Sequence, residues 1–162
     1  MKQEHRAFFD TIIKKHIETM KRDKYTKTKE SVPVCYILER SGRLNVVLVV
    51  APNNQSPMNA LKHVVKQFNT EAYVFCAEAW MKQLDKSKTT KEEQKTAMQR
   101  MERYGVRNEP DKTEIFIAVC GTMSGHVHVD HYQIKRDKSK RIVDLVKNIK
   151  MSKMEMESRK IP

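Results

Sequence analysis

The sequence predicts a single α+β domain over residues 1–162, with a mixed, mainly antiparallel five-stranded sheet, a helix at each terminus and one core helix. Three observations lead there. Apolar residues recur at helical spacing near both ends of the chain. Two pairs of β-rich runs are joined by short Gly-containing breaks, the signature of hairpins. A helix pattern and a further strand lie between the two pairs, which places helices and an antiparallel sheet in one fold. A length of 162 residues suits one core better than two, and 39% hydrophobic residues can fill it.

The first helix is marked by Phe8, Phe9, Ile12, Ile13, Ile17 and Met20, with Lys14, Lys15, Glu18 and Lys21 between them. A charged connector runs to Lys29. Val32 to Leu38 is apolar and β-rich, Glu39-Arg40-Ser41-Gly42-Arg43 breaks it, and Leu44 to Val50 resumes. Val46 to Val50 is apolar at every position, a pattern expected of a strand covered on both faces. After a loop over 51–55, Ser56-Pro57 supplies a helix start, a capping hydroxyl followed by a residue whose fixed φ suits the first helical position. Leu61, Val64, Val65 and Phe68 then mark the core helix, 57–69.

Tyr73 to Ala77 reads as the third strand, ending in Glu78-Ala79-Trp80. Trp80, the only tryptophan, is expected to pack at the sheet end. Residues 81–113 form a polar excursion with one surface helix. It opens on a capping box within Thr89-Thr90-Lys91-Glu92-Glu93, continues through Ala97, Met98, Met101 and Tyr104, and stops at Gly105. Asn108-Glu109-Pro110-Asp111 is a turn. Ile115 to Cys120 is the fourth strand, 121–125 a turn, and His126 to Ile134 the fifth strand. Ile142, Leu145, Val146 and Ile149 then recur at helical spacing, so a terminal helix is expected over 139–150. The β-rich composition of 142–146 leaves a strand as the alternative. The tail, 151–162, has no firm periodicity and is expected to fray.

Charge narrows the function classes. The chain carries 32 Lys+Arg against 20 Asp+Glu, a net charge of +12. Residues 1–30 hold nine basic and five acidic groups, residues 31–80 four and three, and residues 135–162 ten and four. Residues 81–113 hold nine and six, so the excess sits at the two ends and in that insert. Such a surface attracts polyanions, nucleic acid first and an acidic protein second. Lys outnumbers Arg and few aromatics are interleaved, which points to phosphate contact rather than base reading or stacking. On a helix over 139–150, Lys140, Lys147 and Lys150 lie near one face, with Arg141 close to Lys138; these five are the expected nucleic-acid contacts.

No apolar run approaches the length of a membrane span and no secretory signal is recognisable, so a cytoplasmic protein is expected, with no membrane partner. Cys35, Cys76 and Cys120 each fall inside an apolar run and form no C-x-x-C pair, as buried free thiols of a reducing compartment would. There is no G-x-x-x-x-G-K-[ST], G-x-G-x-x-G or G-x-S-x-G. Glu114 beside Lys112 is only the beginning of a nuclease-like acid–lysine set. The reading leans away from an enzyme and calls for no cofactor.

His126-Val127-His128-Val129-Asp130-His131 spells H-x-H-x-D-H, which resembles the metal-binding signature of the metallo-β-lactamase superfamily. The resemblance implies a zinc site in which His126 and His128 hold one metal and Asp130 and His131 the other. In an alternating strand, however, His126, His128, Asp130 and Tyr132 share one face, and Val127, Val129, His131 and Gln133 share the other. Asp130 and His131 then cannot converge, so the string is read as coincidental. His126, His128 and Asp130 remain as the metal ligands of an alternative, hydrolytic reading.

A second resemblance spans residues 44–137. It rests on Tyr73-Val74-Phe75 leading to Glu78-Ala79-Trp80, a polar excursion, and Asn108-Glu109-Pro110-Asp111-Lys112 into Glu114-Ile115-Phe116-Ile117-Ala118-Val119, with a last strand ending Ile134-Lys135-Arg136-Asp137. In these features the chain resembles a group of small uncharacterised α+β proteins of bacteria and their phages. The resemblance brings no activity with it. It implies a phage-related accessory protein, working in the host-cell cytoplasm if phage-encoded.

Overall fold

Helical spacing of Phe9, Ile12 and Ile13 and the apolar residues that the strands turn to one face place α1 and the sheet against each other in a computed structural model. The structure describes residues 2–22, 32–50, 57–81, 89–104, 112–139 and 141–147. In chain order its elements are α1 (Gln3–Arg22), β1 (Val34–Glu39), β2 (Leu44–Leu48), α2 (Pro57–Gln67), β3 (Thr70–Met81), α3 (Lys91–Tyr104), β4 (Thr113–Thr122), β5 (Val127–Arg136) and β6 (Ile142–Lys147). The strands make one open sheet in the order β2-β1-β3-β4-β5-β6, and every neighbouring pair is antiparallel. The fold is α+β, as the sequence predicts. The sheet differs from expectation in having six strands rather than five and no parallel pair.

The sixth strand is the main correction. Residues 142–147 form β6 instead of the expected terminal helix, pairing Ile134 with Leu145 and Tyr132 with Lys147. Ile142, Leu145 and Val146 suit a helical stripe, but Ile142-Val143 and Val146 are β-branched and β5 offers an unpaired edge. Pairing there satisfies the backbone groups that β6 turns toward β5 and buries Leu145. Residues 148–162 lie outside the described residues, as do Ser56, Gly105 and the 108–111 turn.

The alternation of each strand builds two cores. On one face α1 sets Phe9, Ile12 and Ile13 against Ala72, Val74, Cys76, Phe116, Ala118, Cys120, Ile134 and Leu145. On the other, α2 sets Leu61 and Val65 against Cys35, Ile37, Phe75, Val119 and Val129. The hairpin turns are sharp. Gly42 and Gly125 adopt φ of 89° and 98°, a left-handed conformation that costs glycine little. α3 begins as its capping box predicts, with the Glu93 amide donating to Thr90 Oγ1 at 3.1 Å. Among its described side chains only Ala97 is buried. β3 runs longer at both ends than its apolar core suggests, because Thr70 and Trp80 still have partners across the sheet, Glu39 and Glu114.

Candidate functional site

Alternation along β5 turns His128, Asp130 and Tyr132 toward α1, while Val129 faces α2. The neighbours are fixed by register. Cys120 lies opposite His128, Ala118 opposite Asp130, and Phe116 opposite Tyr132. On the other side β6 brings Lys147 opposite Tyr132. The result is a polar cluster in an otherwise apolar face.

Asp130 is its centre. Its side chain is only 6% exposed, so the carboxylate needs partners to offset lost hydration. His128 Nε2–H donates to Asp130 Oδ1 at 2.8 Å, and Lys147 Nζ approaches the same oxygen at 3.3 Å. Both partners reach solvent, with side chains 32% and 46% exposed. Burial, and after it the Asp130 charge, pushes the Tyr132 hydroxyl up to about 12. The same two causes in the same order raise the Cys120 thiol above its ordinary range.

Cys120, His128 and Asp130 thus form a thiol–imidazole–carboxylate series on one sheet face, a set that the sequence reading missed because the thiol comes from the neighbouring strand. Its chemistry is poor for nucleophilic catalysis. Cys120 is fully buried, and a nucleophile needs a thiolate, which burial and Asp130 both disfavour. His128 spends Nε2 on Asp130. Among the described residues no three His, Cys, Asp or Glu side chains gather to hold a metal. His126 stands before β5 in the turn, exposed, with its amide donating to Thr122 Oγ1 at 3.3 Å.

The five cations expected to share a helical face do not share one. Lys138 and Arg141 lie in the β5–β6 turn, Lys147 at the far end of β6, and Lys140 and Lys150 outside the described residues. The Arg141 amide donates to Asp137 Oδ1 at 3.0 Å, which shapes the turn and leaves the guanidinium exposed. Lys135 joins them from the exposed side of β5, a neighbour that only the strand register reveals. Arg136 does not. Its Nε and Nη2 donate to both oxygens of Glu114, at 2.8 and 2.6 Å, and that forked bond raises its pKa further. Glu114 is therefore an ion-pair partner rather than a free acid beside Lys112. Lys112 itself stands over the Trp80 ring at 4.7 Å, so the tryptophan closes the sheet end with a cation on its face.

The three thiols are free and buried. No helix among the described residues is long and apolar enough to cross a membrane. No family model, no curated protein and no solved structure matches the chain.

Proposed function

We propose that the protein is a small non-catalytic accessory protein whose basic β5–β6 end contacts a polyanion, nucleic acid in the first instance. The observation that carries this reading is the set of exposed cations around one turn, Lys135, Lys138 and Arg141. None of the ion pairs among the described residues engages them, whereas Lys147 and Arg136 are tied to Asp130 and Glu114. The ten basic and four acidic groups of residues 135–162 extend the same charge along the chain. Contacts of this kind bind phosphate without reading bases and release condensed counterions.

The test is the affinity of the full chain for duplex DNA, single-stranded DNA and RNA across a salt series. The comparison protein carries Lys135→Glu, Lys138→Glu and Arg141→Glu. Deleting the segment after Asp137 is unsuitable, because β6 carries the core residue Leu145. The expected result is binding at low salt that weakens as salt rises, with a log–log slope shallower by roughly three in the variant. If the full chain binds none of the three, or the variant binds with the same affinity and slope, the reading fails and an acidic protein becomes the better partner. The His128–Asp130 contact supports a second reading, a metal-dependent hydrolase using His126, His128 and Asp130. Elemental analysis checks it, and zinc retained by the purified protein and lost on His128→Ala would favour it.

A further inference from the structure

The two edges of the sheet are built differently. β6 carries Asp144 and Lys147, is ion-paired to Lys21 and Asp130, and has a register shift beside Arg136. Charges and irregularities of this kind discourage further pairing. β2, Leu44-Asn45-Val46-Val47-Leu48, has no charge, no proline and an unbroken register with β1.

The alternation of β2 points Leu44, Val46 and Leu48 to the α1 side, across from Leu38, Tyr36 and Val34. α1 packs over β3, β4 and β6, so this row is left open. The three residues are 46%, 61% and 63% exposed, and Val50 beyond them is 75% exposed. The sequence pattern suggests a strand covered on both faces; the structure covers only one, through Val47 and Val49.

Backbone geometry singles out the same three residues. The Glu39 amide donates to Arg43 O at 2.9 Å and the Val49 amide to Pro33 O at 2.8 Å. In an antiparallel ladder, hydrogen-bonded pairs alternate with non-hydrogen-bonded ones. Arg43, Asn45, Val47 and Val49 therefore turn their N–H and C=O toward β1. Leu44, Val46 and Leu48 turn theirs outward, where no strand among the described residues receives them.

We propose that β2 is a self-association edge, at which two copies of the chain pair antiparallel about a two-fold axis through Val46. That operator sets Val46 against Val46 and Leu44 against Leu48 of the second copy. Each such pair exchanges two backbone hydrogen bonds. Because paired strands keep their faces, the open aliphatic row of one copy continues into that of the other. The strand is thus complementary to itself, as an isologous contact requires.

Charge selects the occupant. A copy bearing +12 is repelled from both termini of another, but residues 31–80 hold four basic and three acidic groups and β2 itself none. An acidic partner is drawn to the chain ends instead. One short strand and one aliphatic row make a contact at the small end of specific interfaces, so the dimer is a weak one in reversible exchange.

Sedimentation of the nuclease-treated full chain over a wide concentration range tests this. The expected result is a monomer–dimer equilibrium that tightens as salt screens the repulsion between copies. Val46→Lys sets two ammonium groups against each other at the axis and weakens dimerisation at least about tenfold. Val143→Lys on β6 leaves it unchanged. Val46→Cys treated with a short bis-maleimide gives a covalent dimer, with little background because the native thiols are buried. A chain that stays monomeric at every concentration overturns the proposal, and so does a dimer indifferent to Val46→Lys. Val46 is exposed, so the melting profile of each variant should match the parent; a Val46→Lys chain that unfolds leaves the concentration series of the parent and the Val46→Cys crosslink to decide.

Discussion

His16 is held between two rings. It is stacked on Phe116 at 5.3 Å between centroids and shares a 2.7 Å hydrogen bond with the Tyr36 hydroxyl. Burial lowers its pKa below the ordinary 6.5, since a charged imidazole would lose its hydration there. The folded protein therefore prefers the neutral ring, while the unfolded chain protonates near the ordinary value. The unfolded state binds more protons in that window, so stability rises with pH. It is fully present above the unfolded pKa and is lost as pH falls from there through the folded value. Urea midpoints measured at about pH 8 and about pH 5 should separate more in the parent than in His16→Phe, whose ring does not titrate. Equal separations would show that His16 titrates alike in the folded and unfolded states. Asp130 answers the same burial differently, through partners on two strands. The sequence reading assigned Asp130 to a metal string and Lys147 to a nucleic-acid face. Their 3.3 Å contact joins residues 17 apart, and nothing local in the chain announces it.

Elements announce themselves more readily than sites, and for a physical reason. The continuous apolar run of β4, the alternation in β5 and the helical stripes of α1 and α2 are consequences of which faces meet the core, so composition along the segment reveals them. Ile142, Leu145 and Val146 show where this breaks down. They suit a helix and a strand alike, and the tie is settled by the partner, β5, which lies outside the segment. Strand order is non-local in the same way. A pairing with local consequences lies between β3 and β4, where Tyr73 is directly opposite Gly121. The tyrosine ring occupies the space that a Cβ at 121 would take. Glycine in a strand interior commonly marks such an approach, and the ring covers the backbone that the missing side chain exposes. Gly121→Ala should cost about 1–3 kcal/mol by displacing the ring within a packed face. Added to Tyr73→Leu, it should cost clearly less. A double-mutant cycle on unfolding free energies measures the difference, and strict additivity would show that the ring moves aside freely.

At the scale of the whole molecule, the two edges of the sheet differ in charge, since β2 holds no charged residue and β6 holds Asp144 and Lys147. The cations of the β5–β6 turn lie at one edge, and the aliphatic row of β2 lies at the other. A molecule arranged this way can pair through one side while presenting its charge on the outer sides of the pair.

The order of the strands also bears on time. β3, β4 and β5 each pair with their successor in the chain, as β1 does with β2, and the connections closing β4–β5 and β5–β6 are only a few residues long. β1 reaches β3 only after the chain has passed through β2 and α2. Short closures cost least entropy and form first, whereas β1–β3 pairing must wait for a longer one. The nascent structure should therefore grow from the β4–β5–β6 meander outward, with the β1–β2 hairpin docking late. In stopped-flow refolding, Val129→Ala on β5 should mainly slow folding. Ile37→Val on β1, a loss of about 1 kcal/mol, should leave the folding rate nearly intact and speed unfolding instead. The reverse assignment would place the nucleus at the hairpin. On the order expected here, the aliphatic edge of β2 is the last part of the sheet to be set in place.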